Sequence, residues 1–331
     1  MASGNRQMWF GIRASATEFS AVSRFDGKSW VVFTTDDGIP NGNINSIVED
    51  SIGNIWIATS NGTARFDGNK WDTFTVADGL TGNNVQTIMV DNQWRLWFGT
   101  NGGVNVIDMA WSVLERPFEN SWQITTKDGI VSDNIQAILE DGNGRLWLGT
   151  SSRGVNFSDR SWQIFTTESG LADNSITAIT EDKIGNLWVG TLNGLCRNSA
   201  FGIPNSEEWD VFTIADGLPG NEVRSLTVDK SGNVWVGTDK GIGVFDGIGF
   251  RQYTQRDGLS SNSVNTLATD LGITAGSPTT STGALFTPAQ FNQVVAAFQS
   301  TGASATVAAQ LAVELENKLA VAGVNSTGMT T

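Results

Sequence analysis

The sequence predicts an all-β fold, a six-bladed β-propeller closed by a shared blade, with a C-terminal two-helix tail. Two observations carry this prediction. A strand-like motif centred on Trp recurs along the chain, as in Asn233-Val234-Trp235-Val236-Gly237-Thr238, and each recurrence lies within a set of four short strand-like segments. The motif Trp residues are at positions 9, 56, 97, 147, 188 and 235, with spacings of 47, 41, 50, 41 and 47 residues. Repeats of this length built from short strands are typical of propeller blades.

The first strand of each repeat has the pattern Val/Ile-x-small-Ile/Leu, and its third position always carries a small residue. The segments are 44–50, 85–91, 135–141, 176–182, 223–229 and 264–270. Small side chains are what strands converging on a ring axis require, so this strand is expected to be the innermost. Its second position carries a ring of polar residues: Asn45, Gln86, Gln136, Thr177, Arg224 and Asn265. Such a ring is expected to hold either a polar ligand or ordered water.

A tight Asp-x-x-Gly turn follows the innermost strand, for example Asp50 to Gly53. Asp at the first position and Gly at the last are typical of a type I turn. The third repeat has Trp94 where Gly is expected, which leaves open whether its turn keeps the same geometry.

The fourth strand of each repeat begins with an aromatic residue, at positions 30, 71, 122, 162, 209 and 250. Together with the Trp motif, this register includes eleven of the 13 Trp residues. Repetition favours packing between blades over ligand stacking for these residues. An Asp-Gly-Leu/Ile loop comes next, followed by an Asn predicted to satisfy local backbone groups. These Asn residues are at positions 43, 83, 134, 174, 221 and 262.

The full recurring string resembles the two-component regulator propeller repeat over about residues 8–270. It runs from the aromatic start through Asp-Gly-Leu, Asn and Val-x-Ser-Ile to Asp-x-x-Gly-Asn-Leu-Trp-Val-Gly-Thr. In that family such repeats often form periplasmic sensor regions of hybrid histidine kinases. Nothing in this chain resembles a kinase, a response regulator or a membrane span, so the resemblance implies the fold alone.

The ring is predicted to occupy residues 1–270 and to close through one shared blade. The amino end supplies strands at 8–12, 21–25 and 30–35, and the missing innermost strand is expected from 264–270. Sharing a blade in this way leaves no free sheet edge between the two ends.

Residues 271–286 are predicted to be a linker, and residues 287–331 a helical tail. Thr287 and Pro288 are typical of a helix start, and Gly302 of its end. Apolar residues at helical spacing form one stripe on each predicted helix: Phe291, Val294, Val295 and Phe298 on the first, and Leu311, Leu315 and Leu319 on the second. Two short helices do not stay folded alone. They are expected to bind the propeller, a protein partner or another copy of the chain.

Composition excludes several classes of function. A net charge of −14 disfavours nucleic acid and anionic membranes, and the absence of His removes the commonest general base and metal ligand. Cys196 lies in a predicted strand and is expected to be buried. No metal site or cofactor is predicted, because turns such as Asp141–Gly144 lack the acidic spacing of a calcium loop.

No signal peptide or membrane span is recognisable, which favours the cytoplasm or an assembled particle.

The leading interpretation is a non-catalytic binding or assembly module, docked through its C-terminal helices into a larger complex such as a phage particle. The alternative is a glycan- or small-ligand-binding sensor or lectin that uses the polar ring and Trp111. Trp111 lies in an insertion at 107–121, and a second insertion spans 197–208. Insertions rich in aromatics occur both at partner surfaces and folded over a ring's own rim. A lyase or hydrolase using acidic residues is disfavoured, because no carboxylate pair stands apart from the repeated turns.

Overall fold

A computed structural model describes residues 7–12, 21–26, 28–108, 116–119, 121–159, 161–198 and 209–267. These residues form 23 strands in six antiparallel sheets, which are the six blades of a β-propeller. In blades 2 to 6 the strands follow chain order across the sheet, and each pairs with the next. The predicted linker and tail lie outside the described residues.

The strand bounds follow the predicted repeats closely. Blade 1 contains β1 (Met8–Ile12), β2 (Ala21–Phe25) and β3 (Trp30–Phe33). Blade 2 contains β4 (Ile44–Glu49), β5 (Ile55–Thr59), β6 (Gly62–Phe66) and β7 (Trp71–Phe74). Blade 3 contains β8 (Val85–Val90), β9 (Arg95–Thr100), β10 (Gly103–Asp108) and β11 (Trp122–Ile124).

The second half of the ring repeats this plan. Blade 4 contains β12 (Ile135–Glu140), β13 (Leu146–Thr150), β14 (Val155–Asp159) and β15 (Ser161–Phe165). Blade 5 contains β16 (Ile176–Glu181), β17 (Leu187–Thr191), β18 (Gly194–Asn198) and β19 (Asp210–Phe212). Blade 6 contains β20 (Val223–Val228), β21 (Val234–Thr238), β22 (Ile242–Phe245) and β23 (Phe250–Tyr253).

A short 3-10 turn follows the last strand of every blade. The six turns are Thr35–Asp37, Val76–Asp78, Thr126–Asp128, Thr167–Ser169, Ile214–Asp216 and Gln255–Asp257. The first strands of blades 2 to 6 contact one another in chain order, which confirms that they are innermost.

A hydrogen bond joins the Asp of each described turn to the Trp of the next strand, buried in blades 2 to 4 and partly buried in blades 5 and 6. In blade 2, Trp56 Nε1 donates to Asp50 Oδ2 over 2.9 Å, while Asp50 Oδ1 accepts from the backbone N–H groups of Ile52 and Asn54. The same indole-to-carboxylate bond recurs in blades 3 to 6, at 2.8, 2.9, 2.9 and 2.9 Å. The predicted turn is therefore confirmed. Its Asp accepts hydrogen bonds both from the turn backbone and from the Trp of the next strand.

The hydrogen bonds keep two of these carboxylates ionised. Burial by itself would raise the pKa of Asp91, but the indole of Trp97 and the N–H groups of Arg95 hold that pKa below its ordinary value. Asp229 has a lowered pKa for the same reason, with Trp235 and Asn233 as its donors. A charged acceptor makes each of these bonds stronger than a bond between neutral groups.

In blades 1, 2 and 5 a guanidinium group from the neighbouring strand stacks on the motif Trp, a feature that the sequence did not reveal. Arg24, Arg65 and Arg197 lie on the strand that pairs with the Trp strand. Their guanidinium carbons are 5.7, 5.8 and 5.5 Å from the rings of Trp9, Trp56 and Trp188. Arg65 and Arg197 also pair with Asp72 and Asp210 on the outermost strands, so one side chain links three strands.

The prediction that outer-strand Trp residues pack between blades is wrong for Trp122, which is 55% exposed. Phe118, from the insertion that precedes β11, is buried instead and packs against Trp56 and Phe74 of blade 2. In blade 2 the corresponding contact is made by Trp71, which packs against Trp9 of blade 1. An insertion thus supplies the aromatic group that the repeat elsewhere carries on its own strand.

Trp94 keeps the turn geometry that Gly provides in the other repeats. Its φ is +63°, and its backbone N–H donates to the carbonyl of Asp91 over 3.0 Å, as the N–H of Gly53 does to that of Asp50. The left-handed conformation is unfavourable for a residue with a β-carbon. The chain adopts it because the Asp91 hydrogen bonds require this turn.

Blade 1 has three strands within the described residues, and Val264 packs where its missing strand is predicted. In every blade except blade 2, which has Ala58, a Gly on the Trp strand lies against the first residue of the next innermost strand, as Gly11 does against Ile44. Val264 lies against Gly237 in the same way, and its N–H donates to the carbonyl of Thr238. Residues 264–267 are not in a strand, and residues 268–270 lie outside the described part. Closure through a shared blade therefore stays a prediction.

Replacing Asp50 with Ala should lower the free energy of unfolding by about 2–4 kcal/mol. The change leaves the buried indole N–H of Trp56 without a partner and removes the turn's backbone acceptor. Urea unfolding measures this loss. Asp36→Ala is the matched control, because Asp36 is exposed, and its expected effect is within about 0.5 kcal/mol. Equal effects of the two changes would contradict the role assigned to Asp50.

Deleting residues 264–270 should expose blade 1. If these residues supply its innermost strand, the amide groups of β1 will exchange with deuterium much faster in the deletion variant, because β1 then becomes a free sheet edge. Hydrogen exchange with mass spectrometry compares β1 with β12 on the opposite side of the ring. Unchanged protection of β1 would refute closure by this segment.

Candidate ligand-binding face

One face of the ring is formed by the loops that enter each innermost strand and by the hairpins between second and third strands; we call it the loop face. Backbone hydrogen bonds hold these loops together. In blade 2, the N–H of Ser60 in the hairpin donates to the carbonyl of Asn43 in the entering loop. The N–H of Gly62 then donates to the carbonyl of Asn83, in the loop that enters blade 3. The loop face is therefore continuous from blade to blade.

Each entering loop is anchored by a capped 3-10 turn. Thr75 caps the turn before blade 3, Asp78 completes the capping box, and Gly79 ends it with a φ of +109°. Four residues after Gly79, the side-chain oxygen of Asn83 accepts from the N–H of Val76 over 2.8 Å. The loop is thus held at both ends by short-range hydrogen bonds, as expected for Asn and Thr in turns.

The predicted role of the loop Asn residues is confirmed at four positions and corrected at two. Asn83, Asn174, Asn221 and Asn262 all accept from the N–H at the start of their 3-10 turn. In blade 4 this acceptor is Asp133 rather than Asn134, and in blade 2 the equivalent position is Gly42 rather than Asn43. The sequence-based alignment of these two loops was one residue out of register.

The polar ring predicted from the second position of the innermost strands lies on a series of β-bulges. The register between first and second strands shifts at this position in all five described pairs. The bulged residues are Asn45, Gln86, Gln136, Thr177 and Arg224. A bulge interrupts the alternation of side chains and re-aims the extra residue. The simple two-residue period assumed from the sequence therefore does not hold at this end of the strand.

Some ring residues join neighbouring innermost strands. The amide of Asn45 donates to the carbonyl of Val85 in the next blade over 2.8 Å. Arg224 donates from Nη1 to Asn265 Oδ1 over 2.9 Å, and its Nε pairs with Glu222. Gln136 donates instead to Asn134 within its own blade. The structure therefore brings the predicted residues to one level of the ring but gives them different surroundings.

Other polar groups at this level have no hydrogen-bond partner among the described residues. The side chain of Gln86 makes no hydrogen bond there, and the buried atoms Thr177 Oγ1 and Asn84 Oδ1 are unpaired. Buried polar atoms are nearly always paired in native proteins, so each unpaired one requires an explanation.

A cleft of about 390 Å³ opens on the loop face between blades 4 and 5. Its lining residues are Val131, Ser152, Arg153, Thr166 and Asn174. Arg153 is exposed, and its guanidinium makes no ion pair with any residue that the structure describes. Sequence reasoning missed this cleft. A signal was present, because the hairpin before Gly154 has three residues after its Thr where the other hairpins have two.

The groups on the loop face are suited to binding rather than to proton transfer. The bulged ring residues are three amides, a hydroxyl and a guanidinium group, which do not exchange protons near neutral pH. The thiol of Cys196 is buried, as predicted, and burial raises its pKa to about 11, so it stays protonated. Trp111 and the seven apolar tail residues predicted to bind a partner lie outside the described residues.

The fold and the repeated turn network define a β-propeller built from one kind of repeat. Residues 38–61, 129–152, 170–193 and 217–240 each match the model of the two-component regulator propeller family. The chain therefore contains two-component regulator propeller repeats. A comparison with curated protein sequences gives no match.

Solved structures with the same fold come from different proteins. The extracellular domain of BT3049 from B. thetaiotaomicron, described as a hybrid two-component system, matches with 24% identity and a TM-score of 0.58 over 78% of this chain and 36% of that one. The extracellular domain of BT4673 from B. thetaiotaomicron, described as a one-component system, matches with 22% identity and a TM-score of 0.57. The match covers 77% of this chain and 36% of that one. A streptogramin B lyase matches with 13% identity and a TM-score of 0.54, over 75% of this chain and 87% of that one.

These likenesses show the fold alone. The chain spans 36% of the length of the two extracellular domains. In the described part of the chain, no helix is long and apolar enough to cross a bilayer.

Cys196 should not react with maleimides in the folded protein at pH 7. Its thiol is protonated and buried, and the reactive species is the thiolate. Mass spectrometry after brief labelling should find less than about a tenth of the chains modified, and complete modification in denaturant. Rapid labelling of the folded protein would show that this thiol is accessible.

Proposed function

We propose that this protein is a non-catalytic binding module that holds a hydroxyl-bearing ligand, a carbohydrate, on its loop face. The observation that carries this proposal is the set of polar groups on the bulged ends of the innermost strands that have no partner within the ring. Gln86, on the bulge of β8, offers both a donor and an acceptor. Two residues earlier, in the loop that enters this strand, the buried acceptor Oδ1 of Asn84 is unpaired among the described residues.

The chemistry of these groups favours a ligand with hydroxyls. An amide side chain has acceptor and donor ends, and a hydroxyl both gives and accepts hydrogen bonds, so the two are complementary. Asn45 and Gln136 use their donors within the ring and keep their carbonyl oxygens for another donor. Sugar hydroxyls supply such donors at close spacing. Ligand sites usually combine polar groups with a concave surface. The cleft beside Arg153 is a concave surface on the same face, although its lining residues are separate from the polar ring.

The turn carboxylates support a non-catalytic role. In the five described turns each Asp accepts from an indole and from backbone N–H groups, so none of these five is available as a base. The chain contains no His. A streptogramin-lyase type of propeller enzyme is expected to use His, and the 13% identity to such a lyase carries only the fold.

The sequence-based placement in the cytoplasm or in a phage particle receives no support from the comparisons, since the similar structures include extracellular domains. Assembly with a partner through the predicted tail helices remains a proposal of its own.

A glycan array followed by calorimetry tests the carbohydrate proposal. We expect selective binding to a small set of glycans and about a tenfold loss of affinity in Gln86→Ala and in Gln136→Ala, the loss of one or two hydrogen bonds. Gln163→Ala is the matched control, because Gln163 is exposed on the outer strand of blade 4. No glycan binding, or the same loss in all three variants, would overturn the proposal.

A further inference from the structure

The face opposite the loop face carries the turns between first and second strands; we call it the turn face. Its turns are linked across blades. The N–H of Asn92 donates to Glu140 Oε2 over 2.7 Å, that of Gly142 donates to Glu181 Oε2 over 2.6 Å, and Lys183 Nζ donates to the carbonyl of Lys230. Consecutive turns from blade 3 to blade 6 therefore form one continuous surface.

Large apolar side chains project from these turns into solvent. Ile52 is 62% exposed, Trp94 is 60% exposed and Ile184 is 85% exposed. Single exposed apolar residues are common, but three on the turn tips of one face are not explained by the fold. The network that fixes each turn uses the Asp and backbone groups, so it places no requirement on these side chains.

Trp94 is the exposed apolar residue that the fold explains least. It occupies a left-handed position, φ +63°, where the four equivalent residues Gly53, Gly144, Gly185 and Gly232 are glycines. Keeping a β-carbon there costs free energy, yet Trp94 is 60% exposed and is not part of the buried core. A further contact with this indole would account for its presence.

The direction of the chain indicates what supplies that contact. Every innermost strand runs from the loop face to the turn face, as β4 does from Ile44 beside the hairpin to Glu49 beside the Asp50 turn. Val264 lies against Gly237, at the loop-face end of the innermost strand predicted at 264–270. A chain that continues along this strand past residue 267 leaves the ring on the turn face.

We propose that residues 287–301 pack with their apolar stripe, Phe291, Val294, Val295 and Phe298, on the turn face of their own ring, against Trp94 and Ile184. About 20 residues separate the last described residue from this segment, a length that spans up to roughly 60 Å. The connection keeps the segment at high effective concentration near that face, which favours its own ring over a partner. No residue from 287 to 301 is charged, so docking buries no charge.

Cysteine cross-linking in the full-length chain tests this packing. One variant carries Ile184→Cys with Val295→Cys, and the control carries Leu192→Cys with Val295→Cys. Leu192 lies in the same blade and is 49% exposed, but it belongs to the loop face. The native Cys196 is buried and protonated, so it does not compete.

With a short bismaleimide at low protein concentration, the Ile184 pair should form an intramolecular cross-link at least about tenfold faster than the Leu192 pair, as the effective concentration of a docked segment requires. Equal rates for the two pairs, or cross-links only between chains, would overturn the proposal.

Hydrogen exchange provides a second measurement that does not depend on introduced cysteines. Phe298→Asp places a charge in the apolar stripe and should speed exchange in the turns at 91–94 and 182–185 while leaving the hairpin at 192–193 unchanged. Gln293→Asp adds the same charge on the opposite side of the predicted helix and should change none of these segments. Unchanged exchange in Phe298→Asp would overturn the proposal, whatever the outcome of the glycan experiment.

Discussion

The hydrogen bond from the Trp indole to the turn Asp is the interaction on which this ring depends. It occurs in the five blades whose turns are described, with donor–acceptor distances from 2.8 to 2.9 Å. The indole is the largest side chain available to fill the space between sheets, but its N–H needs a partner once buried. The Asp supplies that partner while its second oxygen organises the turn. One carboxylate therefore fixes both the packing between blades and the connection between the two innermost strands. The same hydrogen bonds occupy both oxygens of the carboxylate, as in Asp50.

Fixing the turn end of each blade in this way leaves the other end to vary. On the loop face the innermost strands bulge, and their bulged residues differ from blade to blade: amides in blades 2 to 4, a hydroxyl at Thr177 and a guanidinium at Arg224. Some of these groups link neighbouring strands and others have no partner. A rigid ring whose loop-face end carries different polar residues in each blade suits a binding protein, because the scaffold holds these groups in place before a ligand binds. The opposite face combines the invariant turns with exposed apolar tips, which gives the two faces different chemistry.

The sequence predicted the number of blades, the strand order and the turn chemistry, because each rests on local patterns repeated six times. It was less accurate where one blade departs from the others. Trp122 was expected between blades, yet Phe118 from an irregular insertion fills that space, since packing selects the side chain that reaches the gap and not the one in register. The acceptor in blade 4 is Asp133 and not Asn134, because the capped 3-10 turn determines which residue faces its first N–H. The stacking of Arg24 on Trp9 depends on pairing across strands and has no local signature.

The order of the residues alone thus determined that this chain folds into repeated four-stranded units with a Trp and an Asp at fixed positions in each. It also named the residues of the polar ring, since these recur at one strand position. Only the tertiary structure decided how those residues are presented. The bulges that re-aim them, the links from Asn45 and Arg224 to the next strand, and the cleft beside Arg153 all arise where neighbouring blades meet. Periodicity along one chain segment specifies local structure, whereas a site between blades depends on distances between residues about 40 positions apart, which no local pattern encodes.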